Sequence, residues 1–176
     1  MELAHLDYDK VERYTKAENK LRIYFENHPG QKLSFNTKMA LICAAIKHQI
    51  PDFGFVGFYV VAPLLDNDGN PTEKKVLELG AYQSDILASP IIDYGKGVCG
   101  DCWKAKEVQI VNDVTTCKNY IACDDVTMSE IVLPVFKSKD DKSEVLAVLD
   151  IDSHLKNRFD EKDAEHLQRI LDFIYV

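Results

Sequence analysis

The sequence predicts an α+β fold: a central antiparallel sheet of five or six strands, with helices packed on one face and a loop-built pocket on the other. Two observations carry that expectation. Apolar residues recur every three or four positions near both ends of the chain, and give way between them to alternating runs rich in aromatic and β-branched residues. The resulting order is helix, helix, hairpin, a mixed crossover region, hairpin, helix. No internal repeat, low-complexity segment or linker divides the 176 residues, so residues 1–176 are expected to form one domain with a core that needs no staples.

The first helix is expected from about Asp9 to Asn27, where Val11, Tyr14, Ala17, Leu21 and Tyr24 share one face; the segment His28 to Gln31 stops it. Ser34 or Asn36 is positioned to cap a second helix reaching about His48. Cys43 lies inside its apolar stripe and reads as a small buried hydrophobe. Phe53 to Ala62 reads as a strand, Asp66 to Lys75 as a polar loop, and Lys75 to Gln83 as the returning strand of a hairpin. A short strand from Ala88 to Asp93 leads into a Gly-Lys-Gly turn. A short helix over Asp101 to Lys106 and a strand over Val108 to Asp113 follow, and then a loop-like stretch from Thr115 to Met128. Ser129 to Ser138 and Glu144 to Ser153 form the last hairpin. The closing helix begins at Asp160, with Ala164, Leu167, Ile170, Leu171 and Ile174 on its buried side.

Composition narrows the function classes. A net charge of -8, with lysines scattered among carboxylates, argues against nucleic acid as a partner. No apolar run reaches the roughly 18 residues of a membrane span, and the N-terminus lacks the pattern of a secretion signal. A cytoplasmic location is the expectation. Four of the five cysteines (Cys99, Cys102, Cys117 and Cys123) fall between Asp93 and Pro134, together with the one tryptophan. In a reducing compartment these are thiols rather than permanent disulfides.

Three chemistries compete for that cluster, beside the plain alternative of inert thiols. The four cysteines have the form C-x2-C…C-x5-C, whose second spacing is long for a zinc knuckle. Cys99 and Cys102 form a C-x-x-C, but far from the strand-first setting in which such pairs act as redox centres. Cys123 has an apolar wall before it and the carboxylates Asp124, Asp125 and Glu130 after it, and is the candidate nucleophile. Those carboxylates alone raise a thiol pKa, so activation requires a cationic substrate or a helix N-terminus.

The segments GKGVCG (Gly95 to Gly100), IACD (Ile121 to Asp124), SEIVLP (Ser129 to Pro134) and LDIDS (Leu149 to Ser153), in this order, resemble the free methionine-(R)-sulfoxide reductases, which are single GAF-domain enzymes. Gly57 to Tyr59 and the run Arg158, Phe159, Asp160, Glu161, Asp163 fit as well, so the likeness covers most of the chain. The resemblance implies reduction of free methionine (R)-sulfoxide, thioredoxin as electron donor, a homodimer and no cofactor. It implies that Cys123 attacks the sulfoxide sulfur and that Cys99 resolves the sulfenic acid as a disulfide. Glu130, Asp150 and Asp152 match the family's substrate carboxylates, with Glu130 as the favoured acid; Asp124, Tyr59 and Phe55 complete the expected substrate contacts. Alternation places Asp150 with Asp152 on one strand face, and Phe55 with Tyr59 on another. Three positions depart from the family pattern. Phe55 stands where Trp is usual, Tyr120 where His is frequent, and Ser89 where a third redox cysteine is common. Cys102 or Cys117 is the candidate to take that third role. The rival reading is a GAF sensor that binds a small molecule without chemistry.

Overall fold

The computed structural model describes residues 2–117, 119–121 and 126–176. Its elements are α1 (Glu2–Asn27), α2 (Phe35–Gln49), β1 (Phe53–Leu65), β2 (Pro71–Ser84), β3 (Ile91–Asp93), α3 (Gly97–Ala105), β4 (Gln109–Val111), β5 (Ser129–Phe136), β6 (Val145–Ser153) and α4 (Glu161–Leu171). Short 3-10 turns follow at Val114–Thr116 and Asp172–Tyr175. The six strands form one antiparallel sheet in the order β3-β2-β1-β6-β5-β4. Among the described residues no helix is long and apolar enough to cross a membrane.

The sheet separates two apolar layers. On one face α1, α2 and α4 bury Tyr14, Leu21, Ile42, Ile46, Leu167 and Ile170 against Val56, Phe58, Ile131, Leu133, Leu149 and Ile151. Cys43 belongs to this layer, its thiol pointing to the Ala81 carbonyl, as expected of a buried small hydrophobe. The other face carries α3 and the loops around it, with Phe55, Tyr59, Val132 and Val148 beneath. Helices therefore do cover one face, but α3 joins the loops on the other.

Local chemistry accounts for the boundaries. Ser34, rather than Asn36, caps α2: its hydroxyl accepts from the Thr37 amide at 3.2 Å. The first hairpin projects further than expected, because its polar tip is paired up to Leu65↔Pro71 and only residues 66–70 form the turn. There the Asp66 carboxylate accepts from the amides of Asp68 and Asn70, and Gly69 takes a positive φ of 81°.

α1 is fastened to α4 by one buried acid. Asp163 is fully buried, accepts from Lys10 Nζ at 2.7 Å and from the Tyr14 hydroxyl at 2.8 Å, and completes a capping box with Asp160. Arg158 approaches the same carboxylate and lies over the Phe53 ring, 4.9 Å from its centroid. Removing a buried partner that serves several donors costs on the order of 3 kcal/mol. Asp163→Ala is thus expected to lower unfolding stability by about 3 kcal/mol in urea titration, with the loss of α1 docking; a loss below about 1 kcal/mol would show that α1 is held otherwise.

Candidate active site

Sheet register assembles three acids that lie far apart in the chain. Glu130 of β5 faces Asp152 of β6, and Asp150 stands between Val132 of β5 and Gly57 of β1. Because side chains alternate along a strand, all three project to the α3 face. Each is buried, at 5%, 6% and 7% exposure for Glu130, Asp150 and Asp152, where acids are seldom found without a cation.

α3 lowers a thiol onto them. It begins at Gly97, four residues earlier than the sequence suggested, so that Cys99 sits in its first turn rather than in a preceding loop. The glycines that read as a turn serve two purposes. Gly95 and Gly97 adopt φ of 68° and 63°. Gly100 permits close packing, since a Cβ there would lie 2.7 Å from the Asp93 carbonyl oxygen. The Cys99 thiol points at Glu130 Oε1, 4.0 Å away. Ligating atoms of Cys99, Glu130 and Asp150 all lie within 4.8 Å of one another.

These acids and the thiol face a cavity of about 20 Å³, room for a single water molecule. Tyr59, Ile92, Val98, Tyr120 and Ile121 supply its apolar and aromatic walls, and no described residue lining it is basic. Asn119 ties the outer wall down by donating to the Gly95 carbonyl at 2.9 Å, while Ile121 packs against Gly97. Phe55 does not line the cavity: it is buried behind Tyr59, bends over Gly57 and stacks with Tyr59 and Tyr82 at centroid distances of 6.3 and 5.7 Å. Ile92 carried no functional signal in the sequence, and Gly97 and Val98 entered only as members of the GKGVCG segment, with no part in a pocket assigned to them.

The electrostatics follow from burial. Among the described residues Asp150 Oδ1 is buried with no hydrogen-bond partner, and burial raises the pKa of this carboxyl to about 6, with polar contacts to Cys99 and Glu130 pulling the other way. Burial, and then the charges of Asp150 and Glu130, push the Cys99 thiol well above its ordinary value. Cys102 is raised by the same causes; it is fully buried on the inner face of α3 and its thiol points to the Val132 carbonyl. Cys117 is half-buried at the start of the loop that follows the Val114–Thr116 turn, and Ser89 is half-buried in the β2–β3 loop. Cys123 and Asp124, the expected nucleophile and its neighbour, lie outside the described residues.

A six-stranded antiparallel sheet with a small recess under a short helix and loops is the architecture of a GAF domain, and the GAF-domain signature matches residues 33–174. The free methionine-R-sulfoxide reductase of Saccharomyces cerevisiae is 39% identical over 135 residues, covering 77% of this chain and 68% of that protein. The fRMsr of Staphylococcus aureus, solved in complex with substrate, is 32% identical with a TM-score of 0.72 and 92% of each chain covered. A putative GAF sensor protein from Burkholderia vietnamiensis superposes with a TM-score of 0.75 at 27% identity, over 94% of this chain and 92% of its own. The chain belongs to the GAF-domain family and, within it, to the free methionine-R-sulfoxide reductases.

The raised pKa of Asp150 has a consequence for stability. Well below pH 4 the carboxyl is protonated in both folded and unfolded chains; between about pH 4 and 6 the unfolded chain has released a proton that the folded chain keeps, and above about 6 the folded chain carries the charge in a buried site. Its contribution therefore becomes unfavourable with rising pH. Asp150→Asn is expected to raise the thermal midpoint relative to the parent at pH 8 and to change it little at pH 4. An equal effect at both pH values would show that the carboxyl does not titrate as its burial requires.

Proposed function

We propose that this chain reduces free methionine (R)-sulfoxide to methionine, as the relatives so named do. The observation that carries the reading is the buried pocket walled by Glu130, Asp150 and Asp152, with a thiol inside it and no basic residue in its described lining. Such a pocket is complementary to a cation. A free amino acid brings an ammonium group, which a methionine within a peptide lacks, and the apolar walls suit its methyl-sulfinyl end.

Roles follow from the local chemistry. Cys99, held as a neutral thiol by burial and by neighbouring acids, is poorly suited to make the first attack. That step belongs to Cys123. Its sulfur attacks the sulfoxide sulfur, the sulfoxide oxygen ends on Cys123 as a sulfenic acid, and methionine leaves as the thioether. Glu130 protonates the departing oxygen. Asp150 and Asp152 hold the ammonium together with Asp124, and Tyr59 closes the apolar side with Phe55 behind it. Cys99 then attacks the sulfenic sulfur, forming the Cys99–Cys123 disulfide and releasing water; the Glu130 carboxylate beside its thiol is placed to accept its proton.

A dithiol donor, thioredoxin, restores both thiols by exchange. Of the two remaining cysteines in this stretch, half-buried Cys117 is more accessible for relaying that exchange than Cys102, which is sealed on the inner face of α3. The reaction belongs in the reducing cytoplasm, in a one-domain chain that works as a homodimer.

Reduced protein mixed with racemic free methionine sulfoxide and dithiothreitol is expected to release free methionine and to consume only the R epimer. A GAF sensor would bind ligand and release none. Cys123→Ser should abolish release, since a hydroxyl is a far weaker nucleophile than a thiolate. Glu130→Gln should slow it by about 100-fold. Cys99→Ser should complete one turnover and then stop when thioredoxin is the donor; full-speed cycling would assign the resolving role to another thiol.

A further inference from the structure

The group formed by Cys99, Glu130 and Asp150 has a property the sulfoxide chemistry does not use. One sulfur and two carboxylates converge within 4.8 Å, all three side chains are buried, and Asp150 Oδ1 has no hydrogen-bond partner among the described residues. Among the described residues it is the one group of His, Cys, Asp and Glu close enough to hold a metal ion. Cys102 and Cys117 are not part of it, so it is unrelated to a four-cysteine zinc knuckle.

Ligand type narrows the ion. Carboxylates alone suit magnesium or calcium, which need six or more oxygens and gain nothing from a thiolate. A thiolate with two carboxylates suits a borderline ion of low coordination number, above all Zn²⁺. Tetrahedral zinc, with Zn–S of about 2.3 Å and Zn–O of about 2.0 Å, separates sulfur from oxygen by about 3.5 Å. Cys99 Sγ and Glu130 Oε1 are already 4.0 Å apart, so a contraction of a few tenths of an ångström, within the reach of side-chain rotation, brings them to ligating distance. The cavity in front of them holds one water, the number a three-ligand zinc site takes in its fourth position.

We propose that the reduced protein binds one thiophilic divalent cation, zinc in kind, through Cys99, Glu130 and Asp150, with a water completing the shell. The ion takes Asp150 from the substrate's ammonium and Glu130 and Cys99 from their proton-transfer and resolving roles in the catalytic reading, and the consequence for turnover rests on that reading. A zinc-held Cys99 thiolate is unavailable to resolve a sulfenic acid, so the metal-loaded protein is a latent form in which the acids are neutralised and the buried thiol is shielded from oxidation.

The binding itself is tested without turnover. Full-length protein, reduced with a phosphine that does not compete for metal, is titrated with Co²⁺ as a spectroscopic stand-in for Zn²⁺. A thiolate-to-cobalt charge-transfer band in the near ultraviolet, saturating at one equivalent and displaced by Zn²⁺, is expected. Cys99→Ser should lose the band, Asp150→Asn should weaken binding at least tenfold, and Cys117→Ser should leave both band and affinity unchanged. Circular dichroism of the Cys99 and Asp150 variants establishes that each is folded, and the two variants act independently. Absence of the band in the parent, or its persistence in Cys99→Ser, would overturn the proposal. Methionine release by the metal-free protein, measured separately, reports on the catalytic reading alone; loss of one result leaves the other standing.

Discussion

Three carboxylates held out of water on neighbouring strands are the constraint around which this molecule is organised. Glu130 and Asp152 face one another across β5 and β6, an arrangement in which like charges oppose pairing, and Asp150 joins them one step along β6. A sheet accepts such a cost only where the rest of the structure fixes the strands firmly. Here β5, β6 and β1 form the centre of the sheet, and their opposite face is packed by three helices into a continuous apolar layer. The stability of that layer is what allows its reverse side to be electrostatically unfavourable.

The remaining elements convert the unfavourable charge into a site. α3 covers the acids and brings down Cys99, whose thiol stays neutral in their company. Burial leaves one Asp150 oxygen unpaired among the described residues, an arrangement complementary to a cation. In the function proposed above, pocket and guest match by charge at one end and by apolar walls at the other, so that fold stability and ligand selection meet in the same three residues and neutralising any of them trades one for the other.

Much of this was legible in the sequence because it rests on short periods. Alternation in LDIDS put Asp150 and Asp152 on one face, and the stripe around Cys43 placed that thiol in the core. What escaped rests on register and on close approach. The last hairpin was expected and the resemblance grouped Glu130 with Asp150 and Asp152, but the register that sets Glu130 opposite Asp152 is encoded in no local pattern. Pro71 to Lys74 looked like loop because a strand exposed on both faces is polar throughout. Gly100 fell just outside the helix expected from Asp101, yet the helix there needs a residue without a side chain to sit on the Asp93 backbone. That misreading displaced the start of α3 and hid the placement of Cys99 in its first turn. The ties from Lys10 and Tyr14 to Asp163 span nearly the whole chain and were equally invisible.

The most direct measurement compares free methionine sulfoxide with its desamino analogue, 4-(methylsulfinyl)butanoic acid, which keeps the sulfoxide and the carboxylate and lacks only the ammonium. If the buried acids select their guest by charge, kcat/KM for the desamino compound falls by about 100-fold or more, since a buried charge pair that loses one partner costs 2–5 kcal/mol or more. Equal kcat/KM for the two compounds would contradict the account, because the three carboxylates would then have no part in recognition.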